Sequence, residues 1–99
     1  MIILTEEIYT FKLISGEEII AKVKEISSVD LVLDKPVMVL FDSQTGIQLL
    51  PGAFTADLDK TVRLNTRAVA MIFVTIESIK RRYVEMVNEP TDNKQIILG

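Results

Sequence analysis

Residues 11–33, FKLISGEEIIAKVKEISSVDLVL, contain the pattern that decides the fold. Apolar and polar residues alternate on both sides of Ser15-Gly16-Glu17, as in two strands joined by a tight turn. A third alternating segment follows Ser27-Ser28 almost without a break. The stretch therefore predicts the start of a small, strongly bent antiparallel sheet. We expect Gly16 to adopt a positive φ, which a residue with a Cβ avoids.

The same alternation predicts which side chains face the core. Strand one is expected over residues 8–14, strand two over 18–26, and strand three from residue 29 onward. The predicted inward side chains are Tyr9, Phe11 and Leu13 in the first strand, Ile19, Ala21 and Val23 in the second, and Val29, Leu31 and Leu33 in the third.

The pattern of the second half of the chain predicts further strands, followed by a change from strand to helix periodicity. Residues 37–50 form a predicted hairpin, whose turn at 42–46 uses Gly46 at positive φ. Pro36 precedes this hairpin and is expected at an edge, bend or bulge, because it lacks an amide donor. Strands are also predicted at 61–64 and 67–74, joined by a tight turn at Asn65-Thr66.

The last predicted element is an amphipathic helix over about residues 76–88. Its apolar positions follow helical spacing, with Thr75 as the expected N-cap and Glu89-Pro90 as the stop. We expect Ile79 and Tyr83 to be buried against the sheet or a neighbour. Two outcomes remain open for the tail, residues 89–99: it frays, or its Ile96-Ile97-Leu98 segment docks on a groove.

Composition indicates one domain over residues 1–99 that has more apolar surface than it needs. The chain is 48% hydrophobic, although a domain of this size buries only about 60–70% of its unfolded surface. Either the core is unusually full or apolar surface is buried against other copies, and we favour the second interpretation. Residues 37–41 and 68–74, which are apolar on both faces, fit strands that contact a neighbouring subunit.

The residue types of the chain argue against most kinds of catalytic and metal-binding site. The chain contains neither cysteine nor histidine, so disulfides, thiolate chemistry and transition-metal ligation are not expected. Its serine and threonine hydroxyls lack an imidazole base. We therefore expect no enzyme, no metal, no cofactor and no small-molecule substrate. The amino terminus does not resemble a secretory signal, and residues 68–74, the longest apolar run, are too short for a membrane span. The cytoplasm is the expected compartment.

Charge is distributed unevenly along the chain. Residues 1–59 carry four Lys and ten acidic residues, whereas residues 60–82 carry six basic residues and one acid. The whole chain has a net charge of −3, which argues against indiscriminate nucleic-acid binding. Lys80-Arg81-Arg82 spreads around the predicted helix, and a solvated face is the simplest interpretation. Arg82 lies nearest the apolar stripe, where its stem favours packing.

A few turn residues could contact nucleic acid. Asn65-Thr66-Arg67 is either an ordinary turn or the mouth of a barrel, where an Asn amide pairs with a base edge and an Arg plane stacks on one.

The residues also resemble a known family. The pattern Phe11-x-Leu13-x-x-Gly16, followed by Ala21-x-Val23, Asp30 and Leu33, resembles the first motif of the Sm-like (LSm) RNA-binding proteins. Residues 64–69, LNTRAV, fall at the position of the second motif. The phrase LISGEEIIAKV is similar to small Sm-like proteins of tailed phages and marine bacteria. Ala21 replaces a second glycine of the family, and Asn65-Thr66 replaces its Arg-Gly.

This resemblance implies a mainly β fold: a five-stranded, strongly bent antiparallel barrel of Sm-like or SH3-like type over residues 8–74, with a C-terminal helix. It also implies a homo-oligomeric ring, in which the fourth strand of one subunit pairs with the fifth of the next, in a bacterial or phage-infected cell. The expected single-stranded RNA contacts are Ser27, Asp30, Asn65, Thr66 and Arg67, with Arg67 the principal one. The alternative is an oligomeric structural or protein-interaction module without nucleic-acid binding.

Overall fold

The computed structural model describes residues 2–53 and 55–88. The tail and the predicted helix stop at Glu89-Pro90 lie outside this part. The described residues form six strands and one helix: β1 (Ile8–Leu13), β2 (Glu18–Ile26), β3 (Asp30–Asp42), β4 (Gly46–Pro51), β5 (Val62–Asn65), β6 (Val69–Val74) and α1 (Glu77–Val87). The prediction of a mainly β, antiparallel domain with a helix after the last strand is confirmed.

The strands form one antiparallel sheet in the order β4-β3-β2-β1-β6, and β5 pairs with β3. β4 and β5 lie along the same edge of β3, because Val37 pairs with Pro51 while Leu33 pairs with Val62. The six strands thus occupy five rows, the number that the resemblance implies, with one row divided between β4 and β5. In the part of the chain that is described, strand pairing does not close the barrel between β6 and the β4 side. The sheet therefore keeps two free edges.

The turn between β1 and β2 forms as the sequence predicts. Gly16 has a φ of 103°, and its amide donates to the carbonyl of Leu13 over 2.9 Å. Leu13 in turn donates to the carbonyl of Glu17 over 2.8 Å. Gly46, at the β3–β4 turn, also has a positive φ, of 82°. Both glycines adopt conformations that residues with a Cβ rarely take.

A bulge bends β3 at the expected proline. Ile20 pairs with Val37, but Lys22 pairs with Asp34, so β3 holds one more residue than β2 between these pairs. Lys35 lies inside the bulge with a φ of 52°, and Pro36 follows it. On either side of this bend, the two halves of β3 pair with different strands along their outer edge: residues 30–33 with β5 and residues 37–42 with β4.

The first core cluster lies inside the bend. Its buried side chains are Tyr9, Phe11, Ala21, Val23, Leu31 and Leu33, all of which the alternation predicts to face inward; Leu13 and Ile19 pack at its border. Val29 is an error of that prediction, since its side chain is 67% exposed. The reason is local: residues 27–29 form a turn, in which Ser27 donates its amide to the carbonyl of Asp30 over 3.0 Å.

The second core cluster lies on the opposite face of the sheet, beneath α1. It contains Ile20, Val37, Ile79 and Tyr83, so the predicted burial of Ile79 and Tyr83 is confirmed. Alternation in β2 assigns one face to the interior and therefore does not predict Ile20 as a core residue. Once α1 covers the other face, both faces of β2 contribute to burial.

The start of α1 differs from the prediction. Ile76 is the N-cap residue and makes no side-chain cap bond. Thr75, the expected cap, is buried, and its hydroxyl lies 2.9 Å from the Thr10 hydroxyl of β1. Burial against β1 thus replaces capping as the role of Thr75. No helix in residues 2–53 and 55–88 has the length and apolar character to cross a membrane.

Candidate functional site

The structure brings the predicted RNA-binding residues together at one end of the β3–β5 pair. Asp30 pairs directly with Asn65 across the two strands. Thr66 follows, and its amide donates to the carbonyl of Val29 over 3.0 Å, which connects it to the Ser27–Asp30 turn. Arg67 comes next, with an exposed side chain. We call Ser27, Asp30, Asn65, Thr66 and Arg67 the turn cluster.

The connection within the turn cluster differs from the predicted tight turn. Residues 66–68 form a short 3₁₀ helix, and β6 begins at Val69 rather than at residue 67. β5 pairs with β3 while β6 pairs with β1, so Asn65-Thr66 does not close a hairpin between neighbouring strands. The chain crosses from one part of the bent sheet to another here, and this crossing needs the extra residues of the 3₁₀ helix.

Most polar atoms of the turn cluster hold its own backbone. The Ser27 hydroxyl accepts the amide of Asp30 over 3.1 Å and lies 3.1 Å from the Asp30 carboxylate. Asn65 Oδ1 accepts the amide of Arg67 over 2.8 Å. The Thr66 hydroxyl lies 3.1 Å from the Val29 carbonyl oxygen. These side chains therefore act as caps and turn-forming groups, as Ser, Asp, Asn and Thr commonly do.

Arg63, a residue outside the predicted RNA contacts, also affects the charge at the turn cluster. Arg63 Nη1 lies 3.1 Å from Asp30 Oδ2. The Asp30 carboxylate therefore forms an ion pair with Arg63, which offsets its negative charge within the turn cluster. Arg63 pairs with Val32 and is thus a diagonal neighbour of Asp30 across the strands. The ion pair cannot be predicted from the sequence alone, because it depends on the register between β3 and β5. Among the described residues, the Arg67 guanidinium has no ion-pair partner.

The two free sheet edges form a second candidate site, for protein contact. Next to the β4 edge, Phe41 of β3 is 76% exposed. On the β6 edge, Val74 is 70% exposed. Met71 and Phe73 of β6 are also exposed. Monomeric proteins usually protect such edges with charges, proline or a covering element.

An apolar groove extends from β6 towards β4 along the beginning of α1. It has a volume of about 310 Å³. Its walls include Ile20, Ile47, Phe73, Val74, Ile76 and Ile79. Val74 and Ile76 are among the exposed apolar residues. The groove thus continues the apolar character of the β6 edge across the sheet.

The direction of the backbone groups on the β4 edge follows from one hydrogen bond. Gly52 donates its amide to the Pro36 carbonyl over 3.0 Å, which makes this a hydrogen-bonded position of the β3–β4 ladder. Because such positions alternate along antiparallel strands, Ile47, Leu49 and Pro51 direct their backbone groups away from β3. These three residues define the surface that an added strand would meet. A Cβ at Gly52 would lie 2.7 Å from the Pro36 oxygen, so this approach needs glycine.

No cluster of three or more metal-ligating side chains occurs among the residues that the structure describes. Comparison with models of known protein families finds none that matches the chain. Comparison with curated proteins finds no match either.

Proposed function

We propose that the chain is the subunit of an Sm-like homo-oligomer, in which the free β4 edge of one copy pairs with the free β6 edge of the next. One observation carries this proposal: in the described part of the chain a single sheet has two unpaired edges, and exposed apolar side chains lie at or next to both, with Phe41 on β3 beside β4 and Val74 on β6.

The geometry favours a ring. The two edges are different surfaces at opposite ends of the sheet, so their contact is heterologous. A heterologous contact repeats from copy to copy and gives a ring when the rotation between copies closes, or an open filament when it does not. The resemblance of residues 8–74 to phage and marine-bacterial Sm-like proteins supports the same assembly. With the lack of cysteine, it supports the cytoplasm of a bacterial or phage-infected cell as the compartment.

Edge pairing also accounts for the apolar excess of the chain. Each large apolar side chain that becomes fully buried contributes about 1.5–3 kcal/mol. Phe41, Met71, Phe73 and Val74 all lie on or beside the two edges. Their burial, with new backbone hydrogen bonds, would offset the entropy lost when subunits associate.

Sedimentation velocity and native mass spectrometry test the assembly. The wild type should form a single homo-oligomer, and Val74→Asp should dissociate it into folded monomers, because a carboxylate cannot be buried in an apolar contact. Val29→Asp is the matched control: Val29 is also an exposed valine but lies in the turn before β3, outside both β4 and β6, so this variant should assemble normally. A wild type that stays monomeric at high micromolar concentration would contradict the proposal.

We propose single-stranded RNA binding as a second function, at the turn cluster. The observation that favours it is the exposed Arg67 guanidinium, which lacks an ionic partner in the described part of the chain, next to an Asp30 whose charge Arg63 offsets. Repetition around a ring would add weak contacts by multivalency. The polar atoms already used inside the cluster, and the net charge of −3, favour salt-sensitive binding of micromolar strength.

Titration of oligo-U and oligo-A at low and moderate salt tests this function. Arg67→Ala should weaken binding, whereas Arg81→Ala, which removes an exposed Arg from α1, should not. Both variants must first be shown to assemble like the wild type. If the wild type does not bind, or if Arg67→Ala binds equally well, the RNA proposal fails and an interaction module without nucleic acid remains.

A further inference from the structure

One side chain of α1 already occupies part of the β4 edge. Arg82 Nη2 donates a hydrogen bond to the carbonyl oxygen of Ile47 over 2.8 Å. This contact connects the second turn of the helix to the edge strand of the sheet. Arg81, its neighbour, is exposed and makes no ion pair among residues 2–53 and 55–88. Of the adjacent residues Lys80, Arg81 and Arg82, it is therefore Arg82 that contacts the β4 edge.

The carbonyl that Arg82 contacts faces the free edge. Ile47 lies opposite Phe41, and the alternation of the β3–β4 ladder directs its backbone groups away from β3. A strand added to this edge would lie about 4.7–4.9 Å from β4. The Arg82 guanidinium, 2.8 Å from the Ile47 carbonyl oxygen, occupies part of the space that such a strand would fill. Although a carbonyl has a second lone pair, the bulk of the guanidinium prevents a backbone from approaching at this point.

The rest of the edge offers few groups for pairing. Of the outward residues, Pro51 has no amide proton, so it supplies a carbonyl alone. Leu49 supplies both an amide and a carbonyl, and Ile47 would do so without Arg82. The contact of Arg82 thus leaves Leu49 as the one β4 residue able to make a complete pair of hydrogen bonds with an added strand.

We propose that Arg82 determines the register and strength of subunit pairing at the β4 edge. By occupying the Ile47 carbonyl, it restricts the added β6 strand of the next copy to the part of β4 around Leu49. It thereby excludes pairing that continues towards the hairpin turn. This inference rests on the proposed assembly through β4 and β6.

A merely structural role predicts something different. If Arg82 serves to hold α1 on the sheet, its removal lowers the stability of the subunit and leaves the pairing of β4 unchanged. A register-determining role predicts that the Ile47 amide gains a partner in the oligomer once the guanidinium is removed. The hydrogen exchange of this single amide therefore separates the two roles.

The experiment compares the wild type, Arg82→Gln and the matched control Arg81→Gln, as full chains. Sedimentation velocity gives the concentration of half-assembly, and amide exchange followed by NMR gives the protection of Ile47 and Leu49. In the wild type and the control, assembly should protect the Leu49 amide and leave the Ile47 amide exchanging. In Arg82→Gln, the Ile47 amide should become protected, and half-assembly should move to a roughly three- to tenfold lower concentration, as one added hydrogen bond would produce.

Several results would overturn the inference. Equal half-assembly concentrations for the two Gln variants, with Ile47 exchanging in both, would leave the proposed assembly intact but remove the role of Arg82. Weaker assembly of Arg82→Gln would show that the guanidinium promotes the contact, which is the opposite of the proposal. If every variant is monomeric, both the proposed function and this inference fail. A monomeric wild type with an assembling Arg82→Gln would contradict the proposed assembly of the wild type and, with it, the inference that Arg82 determines the register of that assembly.

Discussion

The Tyr83 hydroxyl lies 2.9 Å from the carbonyl oxygen of Lys35. The Asp34 carbonyl oxygen is also within reach, at 3.1 Å. Both carbonyls belong to the bulge of β3, where the ladder to β2 is interrupted. Tyr83 is almost fully buried. The helix therefore supplies a donor to the backbone at the bend of the sheet, where strand pairing does not.

Removing this hydroxyl should destabilise the subunit. Tyr83→Phe keeps the ring packing but leaves two partly buried carbonyls without their donor, which should lower the free energy of unfolding by about 1–3 kcal/mol. Urea unfolding at fixed protein concentration measures the change. Tyr9→Phe is the control: the Tyr9 hydroxyl accepts the amide of Leu4, an exposed residue where water can replace it, so the loss should be smaller. Equal losses in the two variants would contradict the special role of the bulge.

Tyr83 should also make the fold sensitive to alkali. Burial raises the pKa of Tyr83 above its ordinary value of about 10. Below that value the phenol is neutral in both states, and the stability it contributes is fully present. As the pH rises towards the folded-state pKa, the unfolded chain releases the proton first, so the free energy of unfolding falls.

Urea unfolding between about pH 9 and pH 11 measures this effect. The wild type should lose stability relative to Tyr83→Phe across this range, because all other ionisable groups are the same in the two proteins. Parallel pH dependence of the two proteins would show that Tyr83 is not responsible.

Gly16→Val should cost about 1–3 kcal/mol, because a φ of 103° is strained for any residue with a Cβ. A Cβ built at Gly16 meets nothing within 4 Å, so the cost comes from the backbone and not from a clash. Gly16→Ala should therefore have most of the same effect. Thermal unfolding checks both variants, and an unchanged melting temperature in Gly16→Val would refute the turn conformation.

Ile79→Ala should cost roughly 2–5 kcal/mol, since it leaves a cavity between α1 and the sheet. Ile79 is 9% exposed and packs with Ile20, Val37 and Tyr83. Ile76→Ala is the comparison: that side chain is 64% exposed, so the unfolding free energy of the isolated subunit should change little. Chemical denaturation at low concentration separates subunit stability from assembly. A small loss in Ile79→Ala would mean that α1 packs loosely on the sheet.

Local patterns predicted much of this fold because the elements they describe depend on local physics. Alternation in residues 11–33 predicts the first cluster, since neighbouring side chains of a strand point to opposite faces. Gly16 and Gly46 mark positive φ because the turns require it. The helical stripe containing Ile79 and Tyr83 identified the face of α1 that is buried.

One error, at Val29, is local, and the others occur where distant segments meet. Val29 was expected inside because the alternation was extended one residue too far into the turn. Thr75 was expected as a cap, but contact with Thr10 decides its role. The pairing of Asp30 with Arg63 depends on the β3–β5 register, which local periodicity does not specify. The positions of the predicted RNA contacts were found together, but the internal hydrogen bonds of the turn cluster could not be read from their residue types.

By itself, the sequence determined the strands, the two glycine turns and the apolar stripe of the helix, because these follow from periodicity and backbone conformation within a few residues. The tertiary structure alone decided which edges stay unpaired, which carbonyls the helix reaches, and that Arg82 stands at Ile47 instead of in solvent. These relationships join residues 35 or more positions apart. They exist only when α1 packs on the sheet beside β4.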